Sequence, residues 1–394
     1  MCSRRLVRSA AFIGGILSLV IFSGSCRNRS HNRAEIQPED SVVVDEPEPL
    51  RVDSALNDMA LLFAGLPLGE DSPEYGWMEN PVWTAHKAKM DEMWAKCMKT
   101  LDRVADIRDA DLRDIVDGAR TVLYPFSGPD LPFMVDFFPS SETYYMMGLE
   151  RTGTVITPDK AGQKTFAKLE QALLYMLSKS YFVTSYMASD LHNQEVDGTI
   201  PILMTLLSRM GYGIESVTYQ ALTETGDWQD SAESTPFVRI RFFKEGDRQL
   251  KTLYYLSTNL QDDKFDPSVQ AMLEKLDPHS TATLVKSCSY LLHYGSFSSI
   301  RQDILDHSFA LIQDDTGIRY NVLLSENWKV DLYGGYVEPL HWFPKSVYQT
   351  DLAKVYQTSD SIKPLGFRFG YNASASSLIV ARKNVEKGGS TADF

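Results

Sequence analysis

The segment from Thr121 to Gly148 constrains the fold more than any other part of the chain. Thr121-Val122-Leu123-Tyr124 reads as a buried strand, Leu131 to Phe138 as a short apolar helix, and Thr143 to Gly148 as a second strand. Between the first strand and the helix lies Pro125-Phe126-Ser127-Gly128-Pro129-Asp130, whose prolines and glycine mark a turn. If the two strands are parallel, this loop stands at the carboxyl end of the sheet, where ligands collect in such folds.

The remaining pattern predicts both kinds of element. Ser54 to Ala64 is expected as a helix stopped by Gly65 and Pro67. Pro81 opens a long helix with Trp83, His86, Met90, Cys97, Leu101 and Val104 along one face. Lys164–Met187 and Pro201–Met210 are further helices, the second ended by Gly211. Val238, Ile240 and Phe242 alternate with Arg239 and Arg241, which predicts a strand turning through Glu245-Gly246-Asp247 into Leu250–Ser257. Towards the C-terminus, helices are expected at Ala282–His293, Ile300–His307 and Ser346–Tyr356. Strands are expected at Phe309–Gln313, Ile318–Leu324, Trp328–Tyr333, Gly366–Gly370 and Leu378–Arg382. The reading is an α/β or α+β body, with a mixed sheet and several long helices, as one large domain or two closely packed ones.

The N-terminus carries a different signal. Arg4, Arg5 and Arg8 precede an unbroken apolar and small run from Ala10 to Phe22. That run falls short of the roughly 20 residues a membrane span needs but suits a signal-peptide core. It ends in Ser23-Gly24-Ser25-Cys26, small residues before a cysteine that resemble a bacterial lipobox, where the thiol is diacylated and the chain cut before it. Ser23 departs from that pattern, which usually has Leu or another aliphatic residue there; the alternative is an ordinary signal peptide cut after Ser25. Residues 1–25 are thus expected as a lipoprotein signal peptide and 26–50 as a polar, acidic, proline-bearing tether. Residues 51–394 are the globular body. Asp-Ser-Val or Asp-Ser-Ala type triplets at Asp40, Asp53, Asp230 and Asp360 resemble the O-glycosylation acceptor of the Bacteroidota.

Composition narrows the function classes. With 43% hydrophobic and 23% charged residues, the chain is neither wholly disordered nor a multi-span membrane protein. A net charge of −13 argues against nucleic acid as partner. Cys97 and Cys288, both in apolar patterns read as helical, are expected as buried small hydrophobes, with a bridge between them as the alternative.

Few residues stand out for chemistry. Ser127 could donate a hydrogen bond or act as a nucleophile, and amides at the start of the following helix could hold an anion. However, the strained elbow of a hydrolase serine needs Gly two residues before it, where this chain has Pro125. The plainer reading is a rigid turn with Asp130 capping the helix. Gln313-Asp314-Asp315-Thr316-Gly317 offers two carboxylates that could ligate Ca²⁺ or Mg²⁺, against a simple hairpin turn. His192 and His341 are candidate general bases, and a triad of Ser127, either histidine and Asp314 can be drawn. His86, on an apolar helix face, reads as a core residue. Tyr144-Tyr145, Tyr254-Tyr255 and Tyr333 to Phe343 could line a carbohydrate or peptide groove or pack across strands. No cofactor is implied.

The Tyr124-Pro125-Phe126-Ser127-Gly128-Pro129-Asp130 run resembles the hallmark of a family of uncharacterised bacterial secreted proteins and lipoproteins of Bacteroidota type. The resemblance extends to Phe137-Phe138-Pro139, Ile200-Pro201-Ile202-Leu203, Lys286-Ser287-Cys288-Ser289-Tyr290-Leu291-Leu292-His293, Gln313 to Ile318 and Leu332 to Tyr336, and so covers most of the body. Leu131-Pro132 departs from the aromatic that usually follows Asp130. The resemblance implies one family body behind a leader, and no activity.

The expectation is therefore a lipid-anchored envelope protein, held by Cys26 in the periplasm or at the outer membrane and assigned to the periplasmic face because Arg27 and Arg29 follow Cys26 where surface export has an acidic run. Its role is binding or assembly, with a protein or glycan as partner. The alternative is a lipid-anchored hydrolase working from the Tyr124–Asp130 loop.

Overall fold

The computed structural model describes residues 53–179, 195–244, 246–247, 249–371 and 375–384. The leader, Cys26, the tether and His192 lie outside the described residues.

Ten strands form one mixed sheet: β1 Thr121–Tyr124, β2 Thr143–Gly148, β3 Tyr212–Leu222, β4 Trp228–Asp230, β5 Phe237–Lys244, β6 Leu250–Ser257, β7 Thr281–Val285, β8 Ala310–Gln313, β9 Trp328–Gly334 and β10 Ser377–Lys383. Their order is β4-β3-β5-β6-β2-β1-β7-β8-β10-β9. The central five, β6-β2-β1-β7-β8, are parallel. Antiparallel strands extend the sheet on both sides, β5, β3 and β4 beyond β6, and β10 and β9 beyond β8.

Ten α-helices complete the described body. They are α1 Ser54–Phe63, α2 Pro81–Asp111, α3 Arg113–Gly118, α4 Leu131–Phe137, α5 Gln163–Lys179, α6 Ile200–Arg209, α7 Pro267–Leu273, α8 Ser298–His307, α9 Tyr320–Ser325 and α10 Thr350–Thr358. Because successive strand side chains point to opposite faces, each central strand serves two cores. Val122 and Tyr124, Tyr144 and Met146, and Ala282 and Leu284 pack on one face against α1, α2, α4, α5 and α6. Leu123, Met147, Val285 and Leu311 pack on the other against α7, α8, α9 and α10. The result is a three-layer α/β body.

The long α2 is placed by its ends and its stripe. Asn80 caps it, its Oδ1 accepting from Val82 N at 2.9 Å, and Pro81 supplies the first turn. Met90, Cys97, Leu101 and Val104 are buried as the spacing predicts. Each large buried apolar side chain contributes about 1.5–3 kcal/mol, against about 1 kcal/mol for the cap, so the stripe holds this helix.

Several expected elements are corrected. Ala282–His293 is not a helix: Thr281–Val285 is a fully buried parallel strand, followed by a loop and a 3₁₀ turn at Leu291–His293. A short apolar run buried on both faces has no period of its own. Ile318–Leu324 is not a strand but leads into α9. Gly366–Gly370 is irregular, and the helix expected at Ser346 starts at Thr350. Cys97 and Cys288 are both buried and unbridged, and Cys288 sits in the loop after β7 rather than on a helix. Burial pushes both thiols up to about 12, so they behave as inert hydrophobes.

Candidate functional site

The chain runs from β1 outward to β2 and β6, then returns to the opposite side of β1 with β7 and continues to β8. The order therefore reverses between β1 and β7. In an open parallel sheet, the crevice outside the carboxyl ends at such a reversal is the standing place for a ligand. The loops that meet there follow β1, β7 and β8.

The β1 loop is bent by Phe126 at φ 60° and Gly128 at φ 48°. Ser127 is fully buried; its N–H donates to the Met147 carbonyl at 2.7 Å. Its hydroxyl faces the carbonyls of Gly128, at 2.9 Å, and Met147, at 3.2 Å. Among the described residues no base approaches that oxygen. Gly148 is required beside it, because a side chain there would collide with the Gly128 backbone.

Asp130 stands at the N-cap of α4, yet its carboxylate caps nothing. It turns inward instead. Its Oδ2 accepts from the Tyr124 hydroxyl at 2.7 Å and lies 2.6 Å from Lys286 Nζ, with both charged side chains buried. Lys286 comes from the first position after β7, and its ammonium also sits 3.5 Å from the centre of the Phe133 ring. Burial pushes Asp130 up and Lys286 down from their ordinary values, and each charge opposes the shift of the other. Burial likewise raises Tyr124 well above the usual phenol range, so it remains a donor. The expected turn-and-cap role of Asp130 is thus replaced by a buried ion pair tying β1 to β7.

The β7 loop holds three residues in the left-handed region: Ser287 at 53°, Ser289 at 56° and Tyr290 at 59°. Non-glycine residues avoid that region unless their surroundings hold them there. Here the β8 loop does so. Asp314, fully buried, accepts from Ser287 N at 3.0 Å and from Thr316 Oγ1 at 2.5 Å. Thr316 Oγ1 accepts from Cys288 N at 2.9 Å, and Tyr290 donates to Asp315 Oδ2 at 2.7 Å. Ser377 donates to Asp315 Oδ1 at 3.0 Å.

The β8 turn is not the expected hairpin, since it joins β8 to α9. Gly317 does not supply a positive φ; the Gln313 side chain occupies the space its Cβ would need while bonding the Ile318 backbone. Gly370, at φ 83°, lies against the Asp314 carboxylate, where any side chain would clash. Burial and the neighbouring Asp315 raise Asp314 to about 7. Burial also raises Asp315.

Outside this knot the crevice opens. A shallow recess, with room for about one water once open solvent is left out, is lined by Tyr290, Asp315, Tyr336, Leu340, Tyr371 and Ala375, among others. These come from the loops after β7, β8 and β9 and the approach to β10. Exposed His341 and Trp342 follow Leu340 in sequence, their rings 4.9 Å apart. Phe343 packs edge-on to Tyr290 at 4.9 Å and against Tyr371 at 5.3 Å.

Comparisons with protein-family models, characterised proteins and solved structures find no match to this chain.

Of the residues singled out in the sequence, Asp130, Asp314 and Asp315 meet at one end of the sheet, with Ser127 sealed beside them. His341 is on the exposed loop after β9, and no contact joins it to Ser127. Among the described residues no group of three or more His, Cys, Asp and Glu side chains could hold a metal. His86 is a core residue, its ring between Glu170 at 2.7 Å and the Phe63 carbonyl at 2.9 Å. Tyr144 and Tyr255 are buried in the core, while Tyr145 and Tyr254 stack at 5.2 Å across neighbouring strands. The residues missed were Lys286, Tyr290 and Tyr371, whereas Tyr336 lies in the Tyr333–Phe343 run. Lys286 had one usable signal, a lysine closing the apolar run Thr281–Val285, which is where a parallel strand delivers its carboxyl-end residue.

Proposed function

We propose that the chain is a lipid-anchored protein of the bacterial cell envelope, attached through Cys26 and facing the periplasm, whose α/β body binds a small ligand rather than turning one over. The arginine-led apolar run, the small residues before Cys26 and the acidic tether support the anchor. The observation that carries the binding reading is the division of the carboxyl-end crevice. Its β1–β7 part is filled by a buried ion pair, and its β8–β9 part is a recess with Asp315 and tyrosines in its wall.

A hydrolase at the Tyr124–Asp130 loop would need Ser127 to reach substrate and a base to reach Ser127. The buried hydroxyl facing two carbonyls speaks for the binding reading instead. Two experiments test the pair of statements. Cys26→Ser is expected to move the protein from the membrane to the soluble fraction; retention in the membrane overturns the anchor. Filling the recess by Ala375→Leu is expected to abolish binding of ligand from envelope extracts while Ser127→Ala preserves it. The reverse pattern overturns the site.

A further inference from the structure

We infer that Lys286 and Asp130 condense in the folded chain to an intramolecular isopeptide bond, an amide between the lysine Nζ and the aspartate Cγ. The bond fastens the loop after β1 to the end of β7. It modifies the sealed part of the sheet end and does not depend on what the recess binds.

Contact and enclosure are the first ground. The Lys286 and Asp130 side chains are 1% and 2% exposed, and Nζ lies 2.6 Å from Oδ2. Close as it is, Nζ is aligned with no acceptor as a hydrogen-bond donor among the described residues. It sits 3.5 Å from the centre of the Phe133 ring, so carbon rather than water faces the amine. Asp130 also leaves α4 uncapped, giving up the ordinary use of an acid at that position to meet Lys286. As a purely structural ion pair the arrangement gains little, because desolvating two charges offsets most of their attraction. A carboxyl and an amine pressed together without water are also reactants.

The surroundings supply the chemistry. Burial pushes the acid up and the amine down, which favours the carboxylic acid and free amine over the ion pair. One proton passes from the ammonium to Oδ2. The amine lone pair then attacks Cγ to form the C–N bond, a second nitrogen proton moves to Oδ2, and the Cγ–Oδ2 bond breaks to release water. Oδ1 stays as the amide oxygen and the third proton as the amide hydrogen, so nothing is oxidised and no other reactant is consumed. Tyr124 donates to Oδ2 at 2.7 Å and so stabilises charge on the oxygen that leaves. The product is uncharged, which removes the desolvation that opposes the ion pair, and a site closed to water resists hydrolysis.

The position gives the bond a purpose. β1 and β7 are parallel neighbours, Leu123 opposite Thr283, at the point where the strand order reverses. A link between their carboxyl ends closes a long loop and restricts the unfolded chain as a disulfide does. Cys97 and Cys288 are unbridged and supply no such brace.

The test is a tryptic peptide map of the purified full-length chain. An unmodified Lys286 gives the separate peptides Thr121–Arg151 and Leu276–Lys286. The isopeptide is expected to block cleavage after Lys286 and to yield one branched species, 121–151 joined to 276–301, lighter by one water than its two parts. Lys286→Arg keeps the charge without a nucleophilic amine; it should give no branched peptide and migrate more slowly than wild type on a denaturing gel. Tyr124→Phe should form the branch about tenfold more slowly, followed in time after cell-free synthesis. Should these variants fail to fold, the wild-type map decides by itself. Complete cleavage after Lys286, with both peptides free, overturns the bond and leaves an ion pair. A branch from Lys286 to the peptide carrying Asp314 overturns the part given to Asp130. Lys286→Met, alone or with Asp130→Asn, lacks the bond, so the difference between those two variants reads buried charge alone.

Discussion

Two neighbouring parts of the same sheet end carry carboxylates to opposite effect. At β1 and β7, Asp130 is neutralised by Lys286, whose ammonium lies over the Phe133 ring. At β8 and β9, Asp315 has hydroxyl partners only and borders a recess. The first arrangement locks strands together; the second leaves a carboxylate with no cation of the chain beside it. A buried acid therefore cannot be assigned to structure or binding by burial alone. What decides is whether its counter-charge comes from the chain.

The largest test of this contrast unpairs the sealed part. Lys286→Met leaves Asp130 buried without a cation and is expected to cost about 3–5 kcal/mol in urea unfolding. The double variant Asp130→Asn with Lys286→Met should recover much of that loss, because removing both charges removes the unmet desolvation. A double variant no better than the single one would show that the pair acts by packing.

A pH series probes the hinge between the two parts. Asp314 is raised from 3.8 to about 7, so the folded state holds a proton that the unfolded chain releases. Its contribution is fully present below about pH 4 and lost as pH rises through about 7. Stability of Asp314→Asn should consequently be flatter than wild type between pH 4 and 7. The comparison must be a difference, since burial also raises Asp136 and Asp303 to about 6. Parallel curves would mean Asp314 stays ionised, held by its bonds from Ser287 and Thr316.

Gly370→Ala should cost about 1–3 kcal/mol, because the new Cβ meets Asp314 in a backbone conformation that L residues avoid. Ser127→Ala is expected to lose only about 1 kcal/mol, the worth of one buried hydrogen bond, with binding in the recess unchanged. Loss of binding at unchanged stability would return Ser127 to the functional part.

Much of this arrangement was readable before the fold. The Thr121–Gly148 unit is a parallel pair with its loop at the carboxyl end, as its pattern allowed, whereas only the sheet order brings Asp314 to the same end. The role of Asp130 was not readable. A residue before a helix starts as a candidate cap, and only the β1–β7 pairing brings Lys286 close enough to compete for it. Lys286 itself was hidden in a run whose buried strand mimics a helix segment. The recess is assembled from four separate segments, and nothing local marks Tyr290, Tyr336 and Tyr371 as neighbours.

The central claim is that the chain meets its ligand at the β8–β9 part and not at the β1 loop. Tyrosine-ring NMR during titration with a small-molecule envelope extract tests it most directly, because Tyr124 reports on the sealed part while Tyr290, Tyr336 and Tyr371 report on the open one. The account predicts saturable shifts in the latter three with Tyr124 unmoved. Shifts centred on Tyr124, with the recess tyrosines silent, would contradict it.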